Sequence, residues 1–116
     1  MQKAIILVTM LFTLLYGTAF SKEETTKTSF KVNGMCDMCK ERIEKAAKTQ
    51  GVKSAMWNEE SHILTISFLP SKITVEQVEK NIAKAGYDTP HHKAAEEDYK
   101  KLPQCCQYDR NSEEKQ

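Results

Sequence analysis

Between Thr28 and Val32, Phe30 and Val32 alternate with polar residues, which predicts a first strand. Asn33-Gly34 breaks the alternation. From about Cys39 to Thr49 the period becomes helical. Ile43, Ala46 and Ala47 form the apolar stripe, and Lys40, Glu41, Arg42, Glu44, Lys45 and Lys48 cover the other face. Gly51 stands where a helix C-cap is expected. Val52 to Trp57 and Ile63 to Leu69 read as two strands joined through Asn58-Glu59-Glu60-Ser61. In the latter strand Leu64, Ile66 and Phe68 face one side while Thr65 and Ser67 face the other, the mark of a half-buried antiparallel hairpin. Pro70-Ser71 ends it. Thr74 then caps a second helix with Glu76 and Gln77 in its first turn. Its stripe is Val75, Val78, Ile82 and Ala85, and Gly86 ends it.

Strand, helix, strand, strand, helix is most of a split β-α-β plan, so a fourth strand is due at Tyr87 to His92. That stretch has little apolar content and contains Pro90, which a sheet tolerates only at its edge. The expectation is a short, irregular edge strand or none. Further on, Ala95, Tyr99 and Leu102 recur at helical spacing. Glu96, Glu97 and Asp98 come early and Lys100 and Lys101 late, which suits the helix dipole. Pro103 stops this tail helix. Its apolar face is thin, which predicts weak docking and a fold that does not need it. The residues from Asp109 on are polar and expected to be disordered.

The first residues change the picture of where the chain works. Met1-Gln2-Lys3 is a short basic start, Ala4 to Tyr16 is almost all apolar, and Ala19 and Ser21 supply small residues for cleavage. This is the pattern of a secretory signal over 1–21, followed by a flexible lead at 22–27. The apolar run is short for a membrane span. An exported protein with no membrane attachment after cleavage, periplasmic or secreted, is the expectation. Without Lys3 the 17 Lys and Arg become equal to the 16 Asp and Glu, a formal charge of zero. A balanced surface argues against nucleic-acid binding.

Chemistry concentrates at Cys36-Asp37-Met38-Cys39, between the first strand and the first helix. The first thiol falls on a loop and the second near a helix N-terminus, where the dipole favours the thiolate; Lys40 adds to this. Two convergent thiolates suit a soft ion such as Cu(I), Hg(II) or Zn(II), and also suit a redox dithiol. In an oxidising compartment cysteines ordinarily pair as structural disulfides. A ring closed by two intervening residues constrains the unfolded chain little, so a staple explains this pair poorly.

Phe30-x-Val32-x-Gly34-Met35-Cys36-x-x-Cys39, Ile43, Gly51-Val52, the hairpin and Ala83-x-Ala85-Gly86-Tyr87 together resemble the heavy-metal-associated domain. Copper chaperones, domains of copper-exporting ATPases and the periplasmic mercury-binding protein belong to this family. The resemblance implies an α+β, ferredoxin-like βαββαβ sandwich over 28–92, with two helices on one face of an antiparallel sheet and a degenerate fourth strand. It leaves 93–116 as a C-terminal extension. It further implies a monomer that is not an enzyme. By the same resemblance, one Cu(I) is expected on Cys36 and Cys39, to be passed by ligand exchange to a metal-transporting ATPase or another copper protein. Hg(II) and Zn(II) remain alternatives. The chain departs from the family in that Met35 abuts Cys36, which shortens the loop by one residue.

Around the pair, Met35 is expected to pack under the loop. Met38 reads as exposed docking surface or partial core, and His62 as a solvated turn residue. Tyr87 reads equally as a metal-loop neighbour or a core aromatic. His91-His92 and Cys105-Cys106 stay open. Adjacent cysteines do not readily bridge each other, so Cys105 and Cys106 are free, pair elsewhere, or fold back as auxiliary metal ligands together with the histidines. A thiol–disulfide oxidoreductase is the rival of another class. It requires a parallel βαβ unit, against which the hairpin argues.

Overall fold

The computed structural model describes residues 24–110. The expected signal segment 1–21 and the chain end from 111 lie outside the described residues. Three antiparallel strands, β1 (Thr26–Lys31), β2 (Val52–Trp57) and β3 (Ile63–Phe68), form a sheet in the order β1-β3-β2. Two main helices, α1 (Asp37–Ala47) and α2 (Val75–Lys84), pack against it and each other. β1 begins inside the stretch expected to be a flexible lead, with Thr26 paired to Phe68 and Lys27 to Ser67.

The alternation in β3 sorts its two faces. Leu64, Ile66 and Phe68 are buried, and on the opposite face the Thr65 and Ser29 hydroxyls meet across the strands at 2.9 Å. Val52 and Trp57 are both buried, although strict alternation would separate them. A bulge between Val52 and Ser54 resolves this: Lys53 is the extra residue, and Val52 and Trp57 then oppose the inward Phe68 and Leu64. α1 buries Cys39, Ile43 and Ala47 along one stripe. α2 starts with a full capping box, the Thr74 hydroxyl and the Gln77 amide each bonding the other's backbone N–H.

No fourth strand exists among the described residues. The Thr89 N–H and hydroxyl both donate to the His92 carbonyl, and the His92 N–H returns to the Thr89 hydroxyl. These bonds close a tight turn around Pro90, so the chain reverses instead of running along β1. One ladder-like bond survives, from the Asn33 N–H to the Asp88 carbonyl at 3.2 Å.

The tail departs most from expectation. After α3 (Glu96–Lys100) and a 3-10 turn (Gln104–Cys106), a C-terminal strap lies across the domain. Leu102, Cys106 and Tyr108 belong to the same buried cluster as Val32, Trp57 and Tyr87. Gly86, at φ +104°, admits the strap: a Cβ there would meet the Asp98 carbonyl at 2.8 Å and Leu102 at 3.0 Å. Tyr99 packs edge-on to Tyr108 at 5.1 Å and donates to its carbonyl at 2.5 Å. Arg110, expected within the disordered end, forks onto Asp88 with bonds of 2.8 and 3.0 Å and stacks on Tyr99. The thin face of the helix docks through Tyr99 and Leu102, and Cys106, Tyr108 and Arg110 beyond it add the contacts that the sequence did not announce.

Asp88→Ala should therefore destabilise the whole domain. The Asp88 and Arg110 side chains are 10% and 21% exposed, and breaking a largely buried pair costs about 3 kcal/mol. Thermal unfolding should show one cooperative transition at lower temperature; an unchanged midpoint would mean that the strap contributes nothing to the fold.

Candidate metal centre

The cysteines are placed by the junction of β1 and α1. Gly34 lies flat on the Trp57 ring: a Cβ would come within 2.9 Å of it and 3.0 Å of Ile43. The Trp57 indole N–H donates to the Val32 carbonyl at 3.0 Å and fixes this floor. The loop therefore passes over the ring without a side chain between them. Met35, expected beneath the loop, points outward and is 54% exposed; Trp57 occupies the place assigned to it. His62 is likewise not simply solvated. It takes φ 61° to close the hairpin and stacks on Trp57 at 5.5 Å.

Cys36 is the N-cap of α1 and Cys39 lies in its first turn, so the helix begins before the second cysteine. Their Sγ atoms stand 3.9 Å apart. The Cys39 backbone N–H, and secondarily that of Met38, hold the Cys36 thiol below its ordinary range against an opposing contribution from burial. Cys36 is partly accessible while Cys39 is buried. Lys40 shares its charge with Glu44 on its own helix at 3.8 Å.

The strap adds a third sulfur. Cys36, Cys39 and Cys106 Sγ all lie within 4.8 Å of one another. All four cysteines are free thiols. Burial, then the Cys39 sulfur beside it, pushes the Cys106 thiol up to about 12. Cys105 stays outside this triangle. It is exposed, 3.9 Å from Cys106, and its thiol donates to Met38 Sδ at 3.8 Å. Met38 is 46% exposed, at the rim.

Tyr87 is fully buried and stacks on Tyr108. Its hydroxyl has no hydrogen-bond partner. Burial, then the Cys39 and Cys106 sulfurs, push its phenol far above the ordinary range. It is thus a core aromatic whose hydroxyl lies beside two thiols. His91 and His92 do not join the cluster. His91 Nδ1 pairs with Glu79 at 3.1 Å and His92 Nε2 with Glu76 at 3.5 Å, both on α2. Sequence reasoning missed Trp57, Asp88, Tyr108 and Arg110. No local pattern in the sequence pointed to them.

Residues 29–88 match the heavy-metal-associated domain. The chain belongs to the heavy-metal-associated domain family. It is 37% identical over 65 residues to the copper chaperone CopZ of Staphylococcus epidermidis, covering 54% of this chain and 96% of the relative. One similar solved structure is the N-terminal domain of a potential copper-translocating P-type ATPase from Bacillus subtilis in the Cu(I)-loaded state. Its TM-score is 0.54 and its identity 32%, over 57% of this chain and 85% of that one. Another is oxidised MerP from Ralstonia metallidurans, with a TM-score of 0.54 and 28% identity over 57% of this chain and 94% of that one. The heavy-metal-associated match ends at residue 88, so Cys105 and Cys106 lie on the strap beyond it.

Tyr87→Phe tests the orphan hydroxyl. Removing an unsatisfied buried O–H should leave the metal-free protein as stable or more stable, by up to about 1–3 kcal/mol. Metal-bound thiolates accept hydrogen bonds better than thiols, so affinity for a soft ion should fall by about tenfold. A large loss of metal-free stability would show that the hydroxyl is already satisfied.

Proposed function

We propose that the protein is an exported Cu(I) carrier that takes one ion on Cys36 and Cys39 and hands it to a partner by thiolate exchange. The observation that carries this reading is the pair of sulfurs 3.9 Å apart at the start of α1, on a face rimmed by exposed Met35 and Met38. The donors are soft and suit a low-coordinate Cu(I). Export is read from the leader at residues 1–21. The likeness to a copper chaperone and to a Cu(I)-loaded ATPase domain supports copper as cargo and a metal-transporting ATPase as recipient.

Hg(II) is the second reading, because a sulfur-only cluster suits it equally. Zn(II) fits less well, since structural zinc takes four ligands. An oxidoreductase is disfavoured because the motif opens from an antiparallel sheet, whereas the thioredoxin plan uses a parallel βαβ unit.

Reduced protein should bind one Cu(I) per chain in anaerobic competition with a chromophoric chelator. The Cys36→Ser/Cys39→Ser double variant should lose at least about 100-fold in affinity, more than the loss of an outer-shell partner costs. Wild-type affinity in that variant would remove the site. Insulin reduction at the rate of a dedicated oxidoreductase would favour the rival.

A further inference from the structure

We propose that Cys106 is a third ligand to the cargo, supplied by the C-terminal strap, so that the ion is held as a trithiolate and leaves only when the strap sulfur is exchanged. This rests on the Cu(I)-carrier reading and deepens it. The geometry comes first. With a metal–thiolate bond of about 2.3 Å, two opposed sulfurs stand about 4.6 Å apart and three in a plane about 4.0 Å. Cys36 and Cys39 are 3.9 Å apart, the trigonal spacing, and Cys106 closes a triangle in which no side exceeds 4.8 Å.

The second observation is how firmly the third sulfur is placed. Cys106 is 0% exposed. The strap is fixed on one side by Leu102 against Gly86. On the other, the Tyr108 hydroxyl accepts from the Asp88 N–H at 2.9 Å and donates to the Gly86 carbonyl at 3.0 Å, and Arg110 forks onto Asp88. Cys106 is therefore presented to the pair by a fixed segment.

The third observation is the Tyr87 hydroxyl. It is buried and unpartnered, with the Cys39 and Cys106 sulfurs as its neighbours. A hydroxyl in that position can donate to the extra negative charge that sulfur carries on a metal.

Loading involves no redox change. Three S–H bonds break, three metal–sulfur bonds form and three protons leave. In transfer, an acceptor thiolate bonds to the ion, the Cys106–metal bond breaks, and Cys106 takes up a proton. Further acceptor thiolates then displace Cys36 and Cys39 in turn, and each takes up a proton as its bond to the metal breaks.

The test is X-ray absorption of the Cu(I)-loaded wild-type protein, with Cys106→Ser and Cys105→Ser beside it. The wild type and Cys105→Ser should show three sulfurs per copper. Cys106→Ser should show two, at shorter distance. It should bind at least about tenfold more weakly and give copper to a small dithiol faster. Two sulfurs in the wild type would overturn the proposal whether or not the variant folds, and would leave Cys106 as a buried apolar filler. Unchanged coordination in Cys106→Ser would do the same. Neither result touches the carrier reading, which fails only if Cys36→Ser/Cys39→Ser keeps its affinity.

Discussion

Asp88 is the residue through which the metal loop, the turn after Pro90 and the strap are held together. Its carbonyl accepts from Asn33 at the start of the metal loop, and its N–H donates to the Tyr108 hydroxyl. Its carboxylate accepts from the Ala94 N–H at 2.7 Å and from Arg110 twice. The side chain is nearly buried, so each bond offsets the cost of taking a carboxylate out of water. A carboxylate in such a position is stable only when fully surrounded by donors, and the donors come from the segments that must converge for three sulfurs to meet. Among the described residues no fourth strand forms, because beyond its one bond to Asn33 the Asp88 segment and the turn after it serve the strap.

Two kinds of support therefore meet at the site. Under Cys36 and Cys39 the support is the first turn of α1 together with the bare backbone of Gly34 lying on the Trp57 ring of β2. The helix turn sets their separation, and the ring sets the level of the loop. Over them the support is tertiary: Leu102, Cys106 and Tyr108 complete the buried cluster from outside the region of the family match. Met35 is free to be exposed because the floor is already filled, which also leaves two thioethers at the rim.

The elements governed by a local rule could be read from the sequence. β2 was placed at its observed limits, and Thr74 with Gln77 forms the capping box its spacing announces. The cysteine pair followed from one strand giving way to one helix, although α1 starts before Cys39. What escaped was governed by contacts between distant residues. Nothing in the periodicity of Tyr99, Tyr108 and Arg110 says that they meet, because a guanidinium stacked on a ring and forked onto Asp88 leaves no repeat. The bulge at Lys53 and the positive φ of His62 were equally silent. The histidine pair stands apart from the sulfur cluster because Glu76 and Glu79 of α2 lie within reach of its rings.

The placement of the sulfurs on different elements has a consequence for how an ion would leave. Cys36 and Cys39 share one turn of α1, so losing one bond leaves the other sulfur close by and rebinding is fast. Cys106 belongs to the strap, in a single 3-10 turn held to the domain by Leu102, Tyr108 and Arg110. Local opening draws on segments whose contacts can be given up without unravelling a helix, and the strap is such a segment. On the trithiolate proposal, the bond to Cys106 would be the first that an incoming thiolate replaces. The order of exchange would then be built into two sulfurs on a helix and one on a strap, and its rate would depend on the contacts around Asp88 and Tyr108 as well as on the affinity of sulfur for the ion.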